Sequence, residues 1–339
     1  MAAIIGWDVG GAHLKAARVE HGKVTAVLQL AAPLWQGLEP LEAALDAALA
    51  RLGPASRHAA TMTGELADIF PDRATGVRRL SARLAAHLAP APLMLYAGAA
   101  GFVPVNAAEA HAETIASGNW HATARLAARA APEALLADCG STTTDLIPLH
   151  RGAVAAAGSS DATRLAAGEL VYTGFTRSFV MALAPRVPFA GGWTPLACEH
   201  FATSADLYRI LGDLNEDADQ MPAADGREKT VPASIARLAR MIGRDAAMAD
   251  APAWRGLAAY LAEAQLRLIH DAALQVFSRL SLPPDAPVIG AGVGRALILR
   301  LAERLHRPYR DLFTVSSHAD HASAVAVGLL LERRNCPAA

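Results

Sequence analysis

Apolar residues recur at two different spacings along this chain, and the spacing changes within the first fifty residues. The segments AAIIGWDV, LKAARVE and KVTAVLQLA have the spacing of strands, so residues 3–31 are predicted to form three strands joined by turns. Apolar positions then recur at 41, 44, 45, 48, 49 and 52. This period predicts a helix over residues 39–53, which Gly53 and Pro54 end.

The rest of the chain continues the mixture of strands and helices. Further strands are predicted at 58–64 and 92–98 and at the start of 286–305, where a glycine-rich turn and a helix follow the strand. A polar stretch at about 203–233 is predicted to be irregular. The other predicted helices cover residues 75–89, 119–131, 253–280 and 318–334.

The chain begins with a strand that carries Asp8, a turn with Gly10 and Gly11, and a hairpin, and this arrangement occurs a second time. ALLADCG is an apolar strand that carries Asp138, and STTTDLIPLHRGAV supplies a turn, a strand, a tight turn at Arg151 and Gly152, and a return strand. The repeat predicts an α/β protein with two similar domains, 1–131 and 132–339. The last helix, at about 321–335, is expected to pack back on the first domain.

Composition and charge limit the class of protein. The chain has 339 residues, of which 53% are hydrophobic and 19% charged, enough to bury a substantial core. A net charge of −1 does not indicate a nucleic-acid-binding surface. The sequence contains no run of 18 apolar residues, so no membrane span is predicted. The N-terminus does not resemble a signal peptide. Cys139, Cys198 and Cys336 are far apart, so a reduced, cytoplasmic protein is expected.

The two acid-glycine turns are candidate phosphate sites. Glycine lets the backbone approach a ligand closely, and successive N–H groups in such a turn bind anions. Asp8 and Asp138 can hold a hydrated Mg²⁺ or another divalent ion that bridges to phosphate oxygens. Each turn could alternatively be only a hairpin connection. The residues predicted to cradle the phosphates are Gly10, Gly11, Gly140, Ser141, Thr142, Thr143 and Thr144.

A third glycine turn follows the strand near residue 288. Gly290, Gly292 and Gly294 lead into a helix, a place that favours an anion or a flat ring. In this order the three turns resemble those of the actin-like ATPase, sugar kinase and Hsp70 superfamily. The resemblance implies a two-domain, ribonuclease H-like fold with a central interdomain cleft that closes on nucleotide phosphates.

Several longer stretches resemble a narrower group, the hydantoinase/oxoprolinase-related proteins of the tetrahydromethanopterin-linked one-carbon pathway. That resemblance implies aryl-ether synthesis for methanofuran or methylofuran: a furan-methyl diphosphate joins the phenol of tyrosine, tyramine or a glutamyl derivative, and diphosphate leaves. Where the family has Asn in the first turn, this chain has His13, here counted among the diphosphate contacts. The stretches are GWDVGGAHLKAA, NAAEAHAETIASGNWHATARLAA, LLADCGSTTTDLIPL, GELVYTGFTRSFVMAL and DADQMPAADGREKTV.

The resemblance also suggests roles for charged residues. Asp145 is a candidate proton acceptor or orients its turn by hydrogen bonds. Lys15 neutralises the anion or is a solvated strand lysine. Arg227 and Lys229 close over the anion or belong to a solvated loop, and Arg177 presents the same choice.

Other groups carry weaker signals. Glu65 either faces the cleft or caps the following helix. A metal site is not favoured at Glu109, His111 and Glu113, where neighbouring alanines indicate helix, or at His318 and His321, which lack an evident third ligand. Trp120 and His121 are expected to be core residues, with substrate stacking as the alternative.

Two other functions stay open from the sequence. An ATP-dependent small-molecule kinase or ATPase would use the same three turns, and ATP would then be the ligand. A nucleotide-sensing regulator would be non-enzymatic. The oligomeric state is left open by the sequence.

Overall fold

The computed structural model describes residues 3–334. Strands follow the predicted alternation with helices. They are β1 (Ile4–Val9), β2 (His13–Glu20), β3 (Lys23–Ala31), β4 (Arg57–Met62), β5 (Leu93–Tyr96), β6 (Phe102–Pro104), β7 (Ala134–Cys139), β8 (Thr144–His150), β9 (Ala153–Val154), β10 (Leu170–Val171), β11 (Arg186–Phe189), β12 (Gly192–Pro195), β13 (Val288–Ala291) and β14 (Tyr309–Asp311).

The helices range from one turn to eight turns in length. They are α1 (Glu39–Leu52), α2 (Arg73–Leu88), α3 (Ala112–Ile115), α4 (Asn119–Ala130), α5 (Asp161–Ala166), α6 (Ser204–Leu211), α7 (Val231–Arg240), α8 (Ala251–Arg279), α9 (Arg295–Arg304), α10 (Ser316–Asp320) and α11 (Ala322–Arg334). Short 3-10 turns occur at Leu34–Gln36, Gly64–Leu66, Gly98–Ala100, Val105–Ala107, Val180–Ala182, Glu216–Ala218 and Ala246–Met248. Within residues 3–334, no helix has the length and apolar character needed to cross a membrane.

The chain separates into two compact units. Among the described residues, unit 1 comprises 3–132, 149–163 and 312–334, and unit 2 comprises 133–148 and 164–311. The C-terminal helix α11 therefore belongs to the same unit as the first strand. The short return strand β9 also belongs to unit 1, where Val154 pairs with Leu149.

Unit 1 is built on a six-stranded sheet in the order β3-β2-β1-β4-β5-β6. The three N-terminal strands are antiparallel, whereas β4 and β5 run parallel to β1. Alternate residues of β1 serve opposite faces, because side chains alternate along a strand. Ile5 and Trp7 pack with α1 and α2, and Ile4 packs with α4 and α11.

Glycine allows α11 to lie directly on β1. A Cβ at Gly6 would stand 2.1 Å from the carbonyl oxygen of Ala324 and 2.8 Å from the backbone nitrogen of Gly328. Any side chain at Gly6 would therefore push the helix off the sheet. This close approach brings the start of α11 beside the end of β1, where the first acid-glycine turn begins.

Unit 2 contains a second sheet with the path β10-β8-β7-β13-β14. β13 runs parallel to both β7 and β14, while β8 is antiparallel to β10. One core joins this sheet to α8 and α9, with Leu266 and Leu297 fully buried. A second core joins α6, α7 and the first half of α8 around Leu238 and Trp254.

The prediction of an irregular stretch at 203–233 is wrong at its beginning and its end. Residues Ser204–Leu211 form α6, which opens with a capping box between Thr203 and Asp206. Arg209 is 5% exposed because it pairs with Glu216 and Asp219 at 2.7 Å. Asp206 and Arg209 of this stretch are thus buried ion-pair partners. Polar residues normally indicate positions exposed to solvent. The buried charged positions of α6 therefore did not show the apolar spacing that predicts a helix.

The predicted terminal helix of 318–334 is interrupted. α10 ends at Asp320, His321 has φ −115° and ψ 27°, and α11 starts at Ala322. The break gives α11 its own N-terminus next to Ser323. This start lies close to the end of β1 in unit 1.

Candidate functional site

The turn after β1 is closed by one backbone hydrogen bond and places an acid beside a lysine. Gly10 N–H donates to the carbonyl of His13 at 2.9 Å. Asp8 and Lys15 are direct antiparallel partners in β1 and β2, so their side chains extend from the same face of the sheet. Gly11 is half-buried, and a Cβ there would meet no atom within 4 Å, so space is open at the tip of the turn.

Both charged groups at this turn are held by the C-terminal region of unit 1. The Ser323 hydroxyl donates to Asp8 Oδ2 at 2.5 Å, and Asp8 is 6% exposed. Lys15 Nζ donates to the carbonyl oxygen of Asp320 at 3.1 Å. Residues more than 300 positions away therefore fix the first turn. His13, also 6% exposed, lies at the start of β2 with its side chain inside the unit.

The end of β4 abuts the first turn. Thr63 N–H donates to the carbonyl of Val9 at 2.9 Å. A Cβ at Gly64 would be 3.1 Å from the carbonyl oxygens of Val9 and Gly10. Glu65 follows immediately, which places a carboxylate one residue beyond the contact with the turn.

Glu65 is a buried carboxyl with an altered proton affinity. It is 1% exposed, and Oε1 accepts hydrogen bonds from Ser117 N–H at 2.9 Å and from the Ser117 hydroxyl at 3.1 Å. Burial raises its pKa to about 7, although the two Ser117 bonds and Arg73 act in the opposite direction. The idea that Glu65 caps the following helix is wrong, because Asp72 accepts from Thr75 N–H at the start of α2.

The turn after β7 has the same closing hydrogen bond and a different lining. Gly140 N–H donates to the carbonyl of Thr143 at 2.9 Å. Arg177 meets this turn twice: its N–H donates to the Ser141 carbonyl at 2.9 Å and its guanidinium to Thr142 Oγ1 at 3.3 Å. A Cβ at Gly174 would be 2.5 Å from Thr142 N, so residues 174–177 lie flush against the turn.

The hydroxyl groups at this turn fall into two kinds. Ser141, Thr142 and Thr143 are half-buried, and the first two hydroxyls are 3.4 Å apart. Thr144 is fully buried, and its hydroxyl donates to the carbonyl of Thr173 at 2.8 Å. Thr144 therefore supports the turn from inside unit 2, while the other three line it.

The third glycine turn packs against the second. A Cβ at Gly292, where φ is +80°, would be 2.2 Å from the Cys139 carbonyl oxygen and 2.5 Å from Asp138 Oδ1. Gly294 N–H donates to the same carbonyl at 2.9 Å. Gly290 precedes them in β13 against the ring of Tyr309. The structure thus joins two of the three predicted turns within one unit.

Asp145 is tied into the interior of unit 2. Its Oδ1 accepts from Arg164 at 2.5 Å, and Arg164 is 2% exposed and also donates to the carbonyl of Glu169. Such an ion pair holds β8 beside the segment before β10. This geometry favours the orienting role for Asp145 over the role of proton acceptor.

Arg227 and Lys229 belong to the charged network of the second core in unit 2. Lys229 Nζ donates to the carbonyl of Asp219 and lies 3.6 Å from its carboxylate. Arg227 is exposed, and its N–H donates to Asp225 Oδ1 at 3.1 Å. Both residues therefore contact neighbouring aspartates. Their proposed role in closing over a bound anion stays a prediction.

The weaker candidates have structural surroundings of other kinds. Burial lowers the pKa of His321 to about 4, and Nδ1 lies 2.6 Å from the Ser317 carbonyl. Burial raises the pKa of Cys139 to about 12, Cys198 is exposed, and Cys336 lies outside the described residues. Trp120 is 6% exposed.

Binding of a hydrated divalent ion at Asp8 and Asp138 stays a prediction. Within residues 3–334, no group of three or more His, Cys, Asp or Glu is arranged to enclose a metal. Mg²⁺ often keeps several waters and uses one or two carboxylates plus phosphate oxygens from the substrate. Asp8 and Asp138 supply carboxylates of this kind, each at the base of a glycine turn.

Sequence reasoning missed the residues that hold the turns in place. Ser323 and Arg164 lie outside the stretches that carry the resemblance, and Ser117 lies inside one but was not singled out. The sequence offered no signal for Ser323, because it predicted one continuous helix where the structure has a break at His321. Arg177 was named by the sequence, and the structure adds its contact with Thr142.

Comparison with known proteins gives the family and two similar proteins. A family model described as hydantoinase/oxoprolinase matches residues 57–332. A (4-{4-[2-(gamma-L-glutamylamino)ethyl]phenoxymethyl}furan-2-yl)methanamine synthase from Methanocaldococcus jannaschii is 29% identical over 290 residues, 85% of this chain and 86% of that protein. A protein of the same name from Methanococcus vannielii is 32% identical over 111 residues, 33% of this chain and 50% of that one.

Solved structures confirm the fold class. Acetone carboxylase in its nucleotide-free state aligns with a TM-score of 0.61 at 12% identity, covering 96% of this chain and 70% of the other. A ROK family glucokinase from Streptomyces griseus aligns with a TM-score of 0.51 at 14% identity, covering 98% and 100%. The chain therefore has the two-domain α/β fold of the actin-like ATPases and sugar kinases. At these identities the likeness concerns fold alone.

Proposed function

Because the chain belongs to the hydantoinase/oxoprolinase family, we propose that it is a transferase that makes the aryl ether of methanofuran or methylofuran. The substrates would be an (aminomethyl)furan-methyl diphosphate and a phenol, either tyrosine, tyramine or a glutamyl derivative. The phenol oxygen would bond to the furan-methyl carbon, and diphosphate would leave with the electron pair of the broken C–O bond.

The observation that carries this proposal is the near full-length match to the Methanocaldococcus jannaschii synthase. The alignment covers 85% of this chain and 86% of the relative, so it includes both units. The name of that enzyme describes a phenoxymethyl group attached to a furan. An ether of that kind is what a phenol and a furan-methyl electrophile produce.

The turn after β7 has the chemistry to hold a departing diphosphate. Ser141, Thr142 and Thr143 offer hydroxyl groups, and Arg177 adds a guanidinium at Thr142. Donors fixed in advance stabilise negative charge as it develops, with no reorganisation needed during the reaction. Gly174 packs against this turn, and Gly292 packs against the end of β7 just before it.

The turn after β1 combines a carboxylate with a lysine. Asp8 would hold hydrated Mg²⁺, and that ion, when bound, would supply positive charge to the leaving group. Lys15 adds a further positive charge on the same face of the sheet. Ser323 keeps the Asp8 carboxylate oriented through its hydrogen bond.

The acceptor must lose a proton during the reaction. A phenol has a pKa of about 10, so at neutral pH a base helps it to become a nucleophile. The furan ring donates electrons to its exocyclic carbon, so the bond to diphosphate can break with carbocation character. The reaction therefore requires a site that binds the departing diphosphate and a group that accepts the phenol proton.

An ATP-dependent kinase or ATPase is the second candidate. It is favoured by the contact of Gly292 with Cys139 and Asp138, because an adenosine-type turn next to a phosphate turn suits a nucleotide. The fold shared with glucokinase permits this activity without indicating it.

One assay separates the two candidates. Purified protein is incubated with the furan-methyl diphosphate and Mg²⁺, in parallel with tyrosine, tyramine, γ-glutamyltyramine or no phenol. Mass spectrometry detects the ether, and released diphosphate is measured in the same samples. A matched set replaces the furan diphosphate with ATP.

Ether that appears only with a phenol, with equimolar diphosphate, is the expected result. Turnover of ATP without any ether would replace the proposal with the kinase or ATPase reading. Absence of both products from a folded protein would contradict both enzymatic readings.

A further inference from the structure

Four side chains in unit 1 form a continuous hydrogen-bonded chain from the interior toward solvent. Glu65 Oε1 lies 3.1 Å from the Ser117 hydroxyl, which lies 3.1 Å from Asp161 Oδ2. Asp161 Oδ2 in turn pairs with Arg73 at 2.7 Å. The side chains of Glu65, Asp161 and Arg73 become progressively more exposed: Glu65 is buried, Asp161 is 14% exposed, and Arg73 is 42% exposed.

The Ser117 hydroxyl stands between two carboxyl groups and has a single proton. It can donate to Glu65 or to Asp161 at any moment, but not to both. Both contacts become hydrogen bonds only if one of the carboxyl groups is itself protonated and donates to the serine oxygen. The geometry therefore accommodates one extra proton shared along this chain.

The two ends of the chain differ in where that proton is stable. Asp161 forms an ion pair with Arg73, and a proton that stayed on Asp161 would remove that pair. Glu65 is buried, and its Oε2 has no hydrogen-bond partner, which disfavours the charged form. A proton that arrives at Asp161 is therefore drawn inward to Glu65.

From this arrangement we infer that Glu65, Ser117 and Asp161 form a proton relay that takes up the proton of the phenol acceptor. This inference rests on the proposed ether synthesis. The relay lies beside the first glycine turn, because Gly64 packs against the Gly10 carbonyl directly before Glu65.

The proton transfers balance along the relay. The phenol O–H bond breaks and its proton goes to Asp161, while the phenol oxygen keeps the electron pair that forms the new C–O bond. Asp161 passes a proton to the oxygen of Ser117, and Ser117 passes its own proton to Glu65. Glu65 ends as the neutral acid, Asp161 returns to the carboxylate form, and diphosphate carries away the charge of the leaving group.

Two charged groups face Glu65 in unit 1, Arg73 from α2 and Asp161 from α5. Gly76 of α2 packs on the backbone of Glu65, where a Cβ would be 2.6 Å from its carbonyl oxygen. Burial dominates over these neighbours and raises the pKa of Glu65 to about 7. A carboxyl in this range can both accept and release a proton near neutral pH.

The first test is independent of activity. Infrared spectra of the full-length protein are recorded from about pH 5 to about pH 9, and the Glu65→Gln spectra are subtracted. We expect one carboxylic acid carbonyl band that disappears as the pH rises through about 7. Glu113→Gln, an exposed glutamate of α3, is the matched control and should leave this band in place.

The pH dependence of the free energy of unfolding is a second test, and the direction of the expected change is defined. A carboxyl whose pKa is raised by folding contributes stability below its ordinary value near 4.5, and this contribution is lost as the pH rises through about 7. Wild type should therefore lose stability relative to Glu65→Gln between these values. Equal pH dependence of the two proteins would overturn the protonated state of Glu65.

The activity test uses the ether assay at saturating substrates. Glu65→Gln should lower kcat by about 100-fold and remove the rise in rate through about pH 7, with KM for the furan diphosphate unchanged. Ser117→Ala should lower kcat by at least tenfold while it retains Glu65, because the hydroxyl link is lost. Glu113→Gln should retain the wild-type rate and pH profile.

The outcomes keep the relay and the proposed function apart. Wild type that makes no ether contradicts the proposed function, while the infrared band still tests the state of Glu65. Wild type that makes ether, with unchanged rates and pH profiles in Glu65→Gln and Ser117→Ala, overturns the relay alone. If Glu65→Gln does not fold, Ser117→Ala decides: a shifted midpoint of the band with a lowered kcat supports the relay, and no change in either contradicts it.

Discussion

The turns after β1 and β7 share a sequence plan and differ in what surrounds them. Each turn has an acid near the end of an apolar strand, and a glycine follows the acid. The glycine N–H donates to the carbonyl of the third residue after it, from Gly10 to His13 in one turn and from Gly140 to Thr143 in the other. After β1 the acid is buried and held by Ser323 from the far end of the chain. After β7 the turn carries half-buried hydroxyls and Arg177.

The difference teaches that a repeated local pattern can acquire different surroundings, and we propose that the two turns have different tasks. The first turn lies in a carboxylate-rich setting that includes the buried Glu65 nearby, and such a setting suits a metal ion and proton transfer. The second turn also has an acid, Asp138, and adds hydroxyl and guanidinium donors, which suit an anion. Neighbours supplied by the fold decide between these chemistries.

The largest expected effect comes from removing the acid of either turn. Asp8→Asn and Asp138→Asn should each lower turnover by about 1,000-fold, equivalent to about 4 kcal/mol, because each loses a proposed Mg²⁺ ligand. Steady-state ether formation at saturating Mg²⁺ measures this. The exposed residues Asp68 in unit 1 and Asp213 in unit 2 are matched controls, and their Asn variants should retain the wild-type rate.

Near-normal rates in both turn variants would remove the metal assignment. A loss in only one variant would show that a single turn binds the ion.

A methyl group at Gly292 should disrupt the second turn through its packing. Gly292→Ala places a Cβ 2.2 Å from the Cys139 carbonyl at φ +80°, so strain and overpacking should lower the free energy of unfolding by about 3 kcal/mol. Urea unfolding gives the value. Gly243→Ala, at φ +65° with no atom within 4 Å, isolates the backbone strain and should cost about 1 kcal/mol.

If the two alanine variants are equally destabilised, the close packing at Gly292 does not brace the turn.

Arg177 tests whether the second turn binds the anion. Arg177→Met keeps much of the side-chain volume and removes the charge, which should weaken diphosphate binding by about 30-fold, equivalent to about 2 kcal/mol. Isothermal titration with diphosphate and Mg²⁺ measures the change. Arg267→Met, on an exposed part of α8, provides the control for loss of one positive charge and should bind diphosphate normally.

Unaltered affinity in Arg177→Met would place the anion elsewhere and leave the Arg177–Thr142 contact as a purely structural bond.

The smallest effect is expected at the support of the first turn. Ser323→Ala removes a donor from the buried Asp8 carboxylate and should lower the free energy of unfolding by about 1.5 kcal/mol. Ser81→Ala is the comparison, because the buried Ser81 hydroxyl has no partner and its removal should cost close to nothing. Urea unfolding of the two variants at the same pH shows whether Ser323 holds Asp8.

The sequence alone determined the elements and the order of the turns. Apolar spacing predicted β1–β3, α1, α8 and the strand-turn-helix at 288–304, because each element must turn an apolar face to a core. Glycines after apolar strands marked the turns, since a backbone that bends sharply at a ligand needs residues without a Cβ. These signals are local, so they can be read from adjacent positions.

Only the tertiary structure decided what meets these turns. Ser323 and Asp320 reach the first turn from more than 300 residues away, and Ser117 reaches Glu65 across 52 residues. Arg209 is charged yet buried, so its polar pattern misled the prediction for α6. Hydrogen bonds between distant residues leave no periodic trace in a sequence, because they depend on where the chain returns and not on the spacing along it.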